Sequence, residues 1–112
     1  MATSFVYNRV NSNGIPCIES RSITESTTSV TFNFNSSPAV NSRFSGLIAV
    51  RIVEQAASTA DSLPVYFNVP SIVGTNIAVT TFNGTAVTGV ELLQGIHLFF
   101  YDRENGILQL LI

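Results

Sequence analysis

Val30-Thr31-Phe32-Asn33-Phe34-Asn35 alternates apolar and polar side chains at every step. Successive side chains of an extended chain point to opposite faces, so this period of two places Val30, Phe32 and Phe34 on a core face and their neighbours on a wet or shared one. The stretch predicts a half-buried β-strand. Downstream, Leu63, Val65, Phe67 and Val69 repeat the pattern with Pro64, Tyr66, Asn68 and Pro70 opposite them. Proline has no N–H to give to a ladder, so two prolines at alternate positions predict an edge strand, and an uncovered edge pairs with neighbours.

Between these segments, residues 44–53 hold a nearly continuous apolar run of Leu47, Ile48, Ala49, Val50, Ile52 and Val53, broken only by Arg51, which predicts a central strand. Residues 54–62 are small and polar, and are predicted to cross between sheets as a loop with at most one helical turn. Asn83-Gly84 between extended runs at 77–82 and 85–87 predicts a hairpin, because both turn positions favour positive φ. Asp102-Arg103-Glu104-Asn105-Gly106 predicts a second, joining strands at 96–101 and 107–112 that are apolar on both faces and should sit centrally or cover an interface. Asn11-Ser12-Asn13-Gly14, between runs at 5–10 and 15–19, predicts a third, with Pro16 again pointing to an edge. Short strands punctuated by turns, with no helix-period segment, form the pattern of a sandwich or barrel. The expected fold is all-β, a single-domain β-sandwich over residues 1–112, jelly-roll-like or Ig-like, with about eight to nine short strands.

Charged residues make up 11 % of the 112-residue chain, where an ordinary soluble domain carries about 25 %. Ser, Thr and Asn take their place, giving a surface that hydrogen-bonds without the like-charge repulsion that keeps soluble proteins apart. Such a surface tolerates close neighbours, and a homo-oligomer is expected. There is no lysine, and five arginines against seven acids leave a net charge of −2, which argues against a basic, polyanion-binding face. Nucleic acid is therefore not an expected partner. The single cysteine, Cys17, closes no intrachain disulfide. Met1-Ala2-Thr3-Ser4 has no basic region followed by a long apolar stretch, so no secretion signal is expected, and no window approaches the roughly 18 apolar residues of a membrane span. The expectation is synthesis in the cytoplasm and no membrane partner.

Chemistry-bearing residues are few. The one histidine, His97, lies in a predicted strand with no motif around it and reads as structural. One Cys and one His fall two short of a zinc ligand set. The loop at 102–106 holds two acids and an amide but lacks the spacing of a calcium loop, and reads as a solvated turn. Glu19, Glu25, Glu54, Asp61 and Glu91 are scattered over separate segments, so no glycosidase pair can be assigned. Asn35-Ser36-Ser37 and Asn83-Gly84-Thr85 match the glycosylation acceptor pattern, as chance alone provides in a chain this rich in Asn, Ser and Thr. A sugar platform would have to use Tyr7, Tyr66 or Tyr101, since there is no Trp. Neither an enzyme nor a cofactor is expected. The candidate functional residues are those of an interface: Pro64, Tyr66, Asn68 and Pro70 on the predicted edge, and the terminal run Ile107, Leu108, Leu110, Leu111 and Ile112. That run is apolar to the last residue, where chain ends are normally polar. It reads either as a central strand buried by its own sheets or as one face of a subunit contact.

The second half of the chain carries a resemblance. Phe44-Ser45-Gly46 enters an apolar strand; Leu63-Pro64-Val65-Tyr66-Phe67 and Val87-Thr88-Gly89-Val90-Glu91-Leu92 follow; Gly95-Ile96-His97-Leu98-Phe99-Phe100-Tyr101-Asp102 leads through a short turn to a last apolar strand. This resembles small β-rich virion proteins of tailed bacteriophages, namely auxiliary capsid (decoration or cement) and head-fibre domains, including those of crAss-like phages. The likeness spans roughly residues 44–112; the first 43 add no recognisable motif. It is a likeness of pattern that β-rich surface modules of many origins share. It implies a non-enzymatic structural protein on the capsid surface, made in the host cytoplasm, that binds the major capsid protein or other virion proteins and stabilises the shell. The alternative it leaves open is a head-fibre or adhesion module that meets a host-surface ligand or carbohydrate through Tyr66 and Tyr101.

Overall fold

The computed structural model describes residues 9–10, 15–36, 40–57 and 62–111. Eight strands occur among them: β1 (Arg9–Val10), β2 (Pro16–Glu25), β3 (Val30–Phe34), β4 (Gly46–Ile52), β5 (Val65–Asn68), β6 (Ile77–Thr81), β7 (Gly95–Asp102) and β8 (Ile107–Leu110). The one helical element described is a single 3-10 turn, Gly89–Glu91. The protein is all-β.

The strands do not form a sandwich. β2 pairs with β3, β3 with β5, β5 with β6, β6 with β8, β8 with β7, β7 with β4, and β4 returns to β2, which closes a seven-stranded barrel with β1 attached outside the ring. The closure depends on β2, whose residues 17–19 run parallel to β4 while residues 20–25 run antiparallel to β3. The register slips between Ser20 and Ser22, so Arg21 is the extra residue of a β-bulge. A bulge bends its strand and sharpens the local twist, which lets one long strand join two ends of a sheet. Ser20 sits buried at that bend, and its hydroxyl accepts the N–H of Val53 at 2.9 Å, tying the end of β4 to β2. Alternation in and out is the same for a barrel and a sandwich; the bulge that decides between them has no distinctive residue in the sequence.

The edge expected at Pro64 to Pro70 is likewise corrected. β5 lies inside the sheet, parallel to β3 on one side and antiparallel to β6 on the other. Both prolines fall just outside the four-residue strand, so neither costs it a ladder N–H. The carbonyl of Pro64 accepts the Val30 N–H at 3.0 Å, and Pro70 opens a turn in which the Val69 carbonyl accepts the Ile72 N–H at 3.0 Å. Pro16 is the buried first residue of β2, a position where a missing donor is tolerated.

Asn83-Gly84 does turn the chain, with Gly84 at φ 91°, but the returning arm is held to β6 by an isolated bridge between Thr80 and Ala86 instead of a ladder. The arm wedges between β5 and β6. Val87 donates its N–H to Val79 at 2.9 Å and accepts from Val65 at 2.9 Å, and its side chain is fully buried. The β7–β8 hairpin forms as expected, its turn closed by Gly106 at φ 67° and by the Gly106 N–H bonded to the Asp102 carbonyl at 2.8 Å. For the predicted N-terminal hairpin, β1 pairs with residues 16–17 of β2, while 5–8 and 11–14 lie outside the described residues. Of the predicted loop at 54–62, residues 54–57 and 62 are described and contain no helix.

The barrel interior is the core. Val30, Phe32 and Phe34 of β3, Val65 and Phe67 of β5, Ile48, Val50 and Ile52 of β4 and Phe99 and Tyr101 of β7 all point inward and are buried. Phe67 is its centre, with ring centroids 4.8 Å from Phe34, 5.3 Å from Phe99 and 5.8 Å from Phe32, in the tilted and edge-on arrangements that aromatic quadrupoles favour.

Candidate assembly interface

A closed barrel has one inside, so every second residue of its strands faces out, and the sheet register shows which of these residues are neighbours. At Ser22 and Thr24 of β2, Asn33 of β3 and Asn68 of β5 the outward residues are polar and bonded to one another. The Asn33 side-chain amide donates to Thr24 at 3.0 Å and to Ser22 at 3.3 Å, and the Asn68 side-chain amide donates to Asn33 Oδ1 at 3.3 Å. On β4, β7 and β8 the outward residues are mostly apolar. Leu47 lies opposite Phe100, and Phe100 opposite Gln109. Ala49 lies opposite Leu98, whose carbonyl accepts the Leu111 N–H at 2.9 Å. Ile96 lies opposite Arg51, which pairs with Glu19 at 3.6 Å and marks one end of the patch.

These apolar side chains are left in water: Leu47 is 41 % exposed, Ile96 46 %, Phe100 36 % and Leu111 37 %. Leu98 between them is half-buried. Beyond Arg51, Val53 and Leu93 are also exposed, near the point where the Gln94 N–H donates to the Gln55 side chain at 3.2 Å. Scattered exposed apolar residues need no explanation, but register neighbours on three adjoining strands make a contiguous surface, and such surfaces mark contact sites.

The sequence-predicted interface is divided by this geometry. Ile107 and Leu111 face outward or are exposed and belong to the patch. Leu108 is buried in the core and Leu110 packs against it, because β8 lies between β6 and β7 and gives one face to the barrel interior. Ile112 lies outside the described residues. Tyr66 is half-buried and stands in one row with Ala78 and Ile107, so it adjoins the patch. Asn68 belongs to the polar face; Pro64 is half-buried at an isolated bridge to Thr88, and Pro70 is exposed in its turn. Leu47, Ile96, Leu98 and Phe100 were not among the predicted residues. Their signal was present in strands too apolar on both faces for a one-sided sheet.

The residues with chemistry are engaged in local structure. His97 donates from Nε2 to the Leu93 carbonyl at 2.8 Å. Glu25 accepts the Ala57 N–H at 3.0 Å, and Glu91 accepts the Thr88 N–H at 2.9 Å. The Asp102 carboxylate holds Asn105 through its side-chain amide at 2.7 Å and its N–H at 3.3 Å. Among the described residues no three metal-ligating side chains gather, no pocket opens, and no helix is long and apolar enough to cross a membrane. Tyr101 is buried in the barrel, stacked on Phe44 at 6.2 Å, and is therefore unavailable as a surface platform. Tyr7 lies outside the described residues. No family model, curated protein or solved structure matches this chain.

Burial raises the pKa of two groups, the Cys17 thiol and the Tyr101 phenol; for Tyr101 nearby Arg103 opposes the shift and Asp102 adds to it. Each folded-state pKa lies above its unfolded value, so the folded chain holds more protons in the alkaline range and stability falls as pH rises. The melting temperature is expected to decline from about pH 8.5 upward, where an unfolded thiol begins to ionise. Calorimetry of wild type and Cys17→Ala from pH 7 to 10 should show a shallower decline in the variant; parallel curves would refute the assignment to Cys17.

Proposed function

We propose that this protein is a non-catalytic assembly module that docks through the apolar outer face of β4, β7 and β8, and that it serves as an auxiliary capsid protein of a tailed-phage virion, bound to the major capsid protein. The observation that carries the reading is the apolar patch itself: Leu47, Ile96, Leu98, Phe100 and Leu111 stand exposed or half-buried in adjoining rows of interior strands, where no sheet edge explains them. The low charge of the chain and the resemblance of residues 44–112 to phage decoration proteins support the same class. The chemistry of the contact is burial of apolar area, with the Arg51–Glu19 pair beside Ile96 at one end and Asp102 beside Ile107 at the other. A decoration protein acts by repetition, since a modest interface that spans neighbouring capsid subunits must be broken many times before the shell opens. Among the described residues the adhesion alternative loses Tyr101 as a ligand platform and keeps half-buried Tyr66.

The test is mass spectrometry of density-purified tailed-phage particles that carry the gene, followed by re-addition of purified chain to stripped capsids. The expected result is a copy number that scales with the capsid lattice and a capsid melting temperature that rises on re-addition. Absence from the particles, or glycan binding by the isolated chain with no capsid retention, would overturn the reading.

A further inference from the structure

Three Asn-Gly pairs occur in the chain, at 13–14, 83–84 and 105–106, of which the first lies outside the described residues. Asn-Gly is the dipeptide most open to spontaneous loss of the side-chain amide, because glycine leaves its own nitrogen unhindered. The two described pairs are both exposed turns, yet their surroundings differ in the feature that controls this reaction. We infer that Asn83 is a site of non-enzymatic deamidation and that Asn105, in the same molecule, is protected from it.

In the reaction the Gly84 amide nitrogen gives its proton to solvent base and attacks Cγ of Asn83. The N–Cγ bond forms, the Cγ–Nδ2 bond breaks, and ammonia leaves with a proton drawn from water. One water molecule then opens the cyclic imide at either carbonyl, yielding aspartate or isoaspartate. Amide plus water thus becomes acid plus ammonia, and negative charge builds on Oδ1 along the way. At Asn83 the Thr81 hydroxyl donates to Oδ1 and so stands where that charge develops. A positioned donor at a developing oxyanion lowers the barrier. At Asn105 the neighbour is the Asp102 carboxylate, 2.7 Å from Nδ2 and 3.3 Å from the backbone nitrogen, which opposes any new negative charge. Both glycine N–H groups are bonded to carbonyls, Gly84 to Thr81 at 3.0 Å and Gly106 to Asp102 at 2.8 Å, so release of that bond does not separate the two sites.

The location gives the modification a consequence. The Thr81 N–H to Thr85 carbonyl bond at 2.7 Å closes the turn from which the Val87 arm enters the seam between β5 and β6. Isoaspartate adds a main-chain carbon inside that turn, so the aged protein is expected to melt at a lower temperature than the fresh one.

Peptide mapping of the folded chain during incubation at 37 °C and pH 7.4, with mass and isoaspartate readouts, tests the inference. The product at Asn83 should accumulate several-fold faster than at Asn105. Thr81→Val should slow it several-fold while Thr81→Ser, which keeps the hydroxyl, should leave it near the wild-type rate; thermal melts of both variants check that the turn remains folded. Faster loss at Asn105, or an Asn83 rate that Thr81→Val leaves unchanged in a folded chain, would overturn the assignment.

Discussion

Phe67→Ala is expected to remove about 3–5 kcal/mol of stability, the cost of emptying a large aromatic site in a packed core. A domain of ordinary stability has about 5–15 kcal/mol in total, so the variant should lose a large share of its stability at 25 °C. The reasoning rests on the position of the ring. It is fully buried and lies within 6 Å, centroid to centroid, of three other rings contributed by two further strands, Phe32 and Phe34 of β3 and Phe99 of β7. β3 neighbours β5 in the sheet, but β7 faces it across the barrel, so Phe67 links opposite walls. Removing it leaves a void that the closed ladder cannot collapse to fill. Phe67→Leu, which retains most of the volume, should cost much less. Urea denaturation followed by far-UV circular dichroism measures both variants. A loss below about 1 kcal/mol for the alanine variant would mean that the barrel interior is packed otherwise than described.

Most of that interior was legible in the sequence. Val30, Phe32 and Phe34 alternate with polar residues that face out, and the structure places each on its predicted side. Val65 and Phe67 obey the same rule, and β4 is the central strand that its apolar run implies. What the sequence concealed is how the strands join. A bulge at Arg21 sends one strand to two partners, and nothing in Ser20-Arg21-Ser22 marks it. The prolines at 64 and 70 misled for a related reason: they fix where a strand stops as well as which edge it occupies, and here the first effect governs. The candidate interface was half legible. Strands apolar on both faces, as β7 and β8 are, need cover on both sides, and a single barrel wall covers only one. Sequence alone could not say that Leu108 takes the covered side while Phe100 and Leu111 take the open one, since that follows from the register of β8 against β7.

Phe100→Asp exploits that register and is expected to weaken docking severely without unfolding the chain. Phe100 faces out from the middle of β7, flanked by Leu47 of β4 and Gln109 of β8, with Leu98 and Leu111 in the next row. Its neighbours in sequence, Phe99 and Tyr101, point into the core and are untouched by the change. A carboxylate at the centre of an apolar contact must be desolvated when the partner docks, and an aromatic anchor is lost at the same time. Central aromatic anchors are worth about 2 kcal/mol or more, which corresponds to roughly thirtyfold in affinity. The matched control is Thr24→Asp, which adds the same charge to the polar face formed by β2, β3 and β5. Co-sedimentation with stripped capsids, and light-scattering mass over a concentration series, are the readouts; circular dichroism should be unchanged in both variants. Loss of binding in Phe100→Asp with retention in Thr24→Asp would place the contact on β4, β7 and β8. Equal retention in both would remove the apolar patch from the mechanism. Loss in Thr24→Asp alone would move the interface to the polar face, where the bonded ladder of Asn33, Asn68, Ser22 and Thr24 would then be the surface that the partner reads.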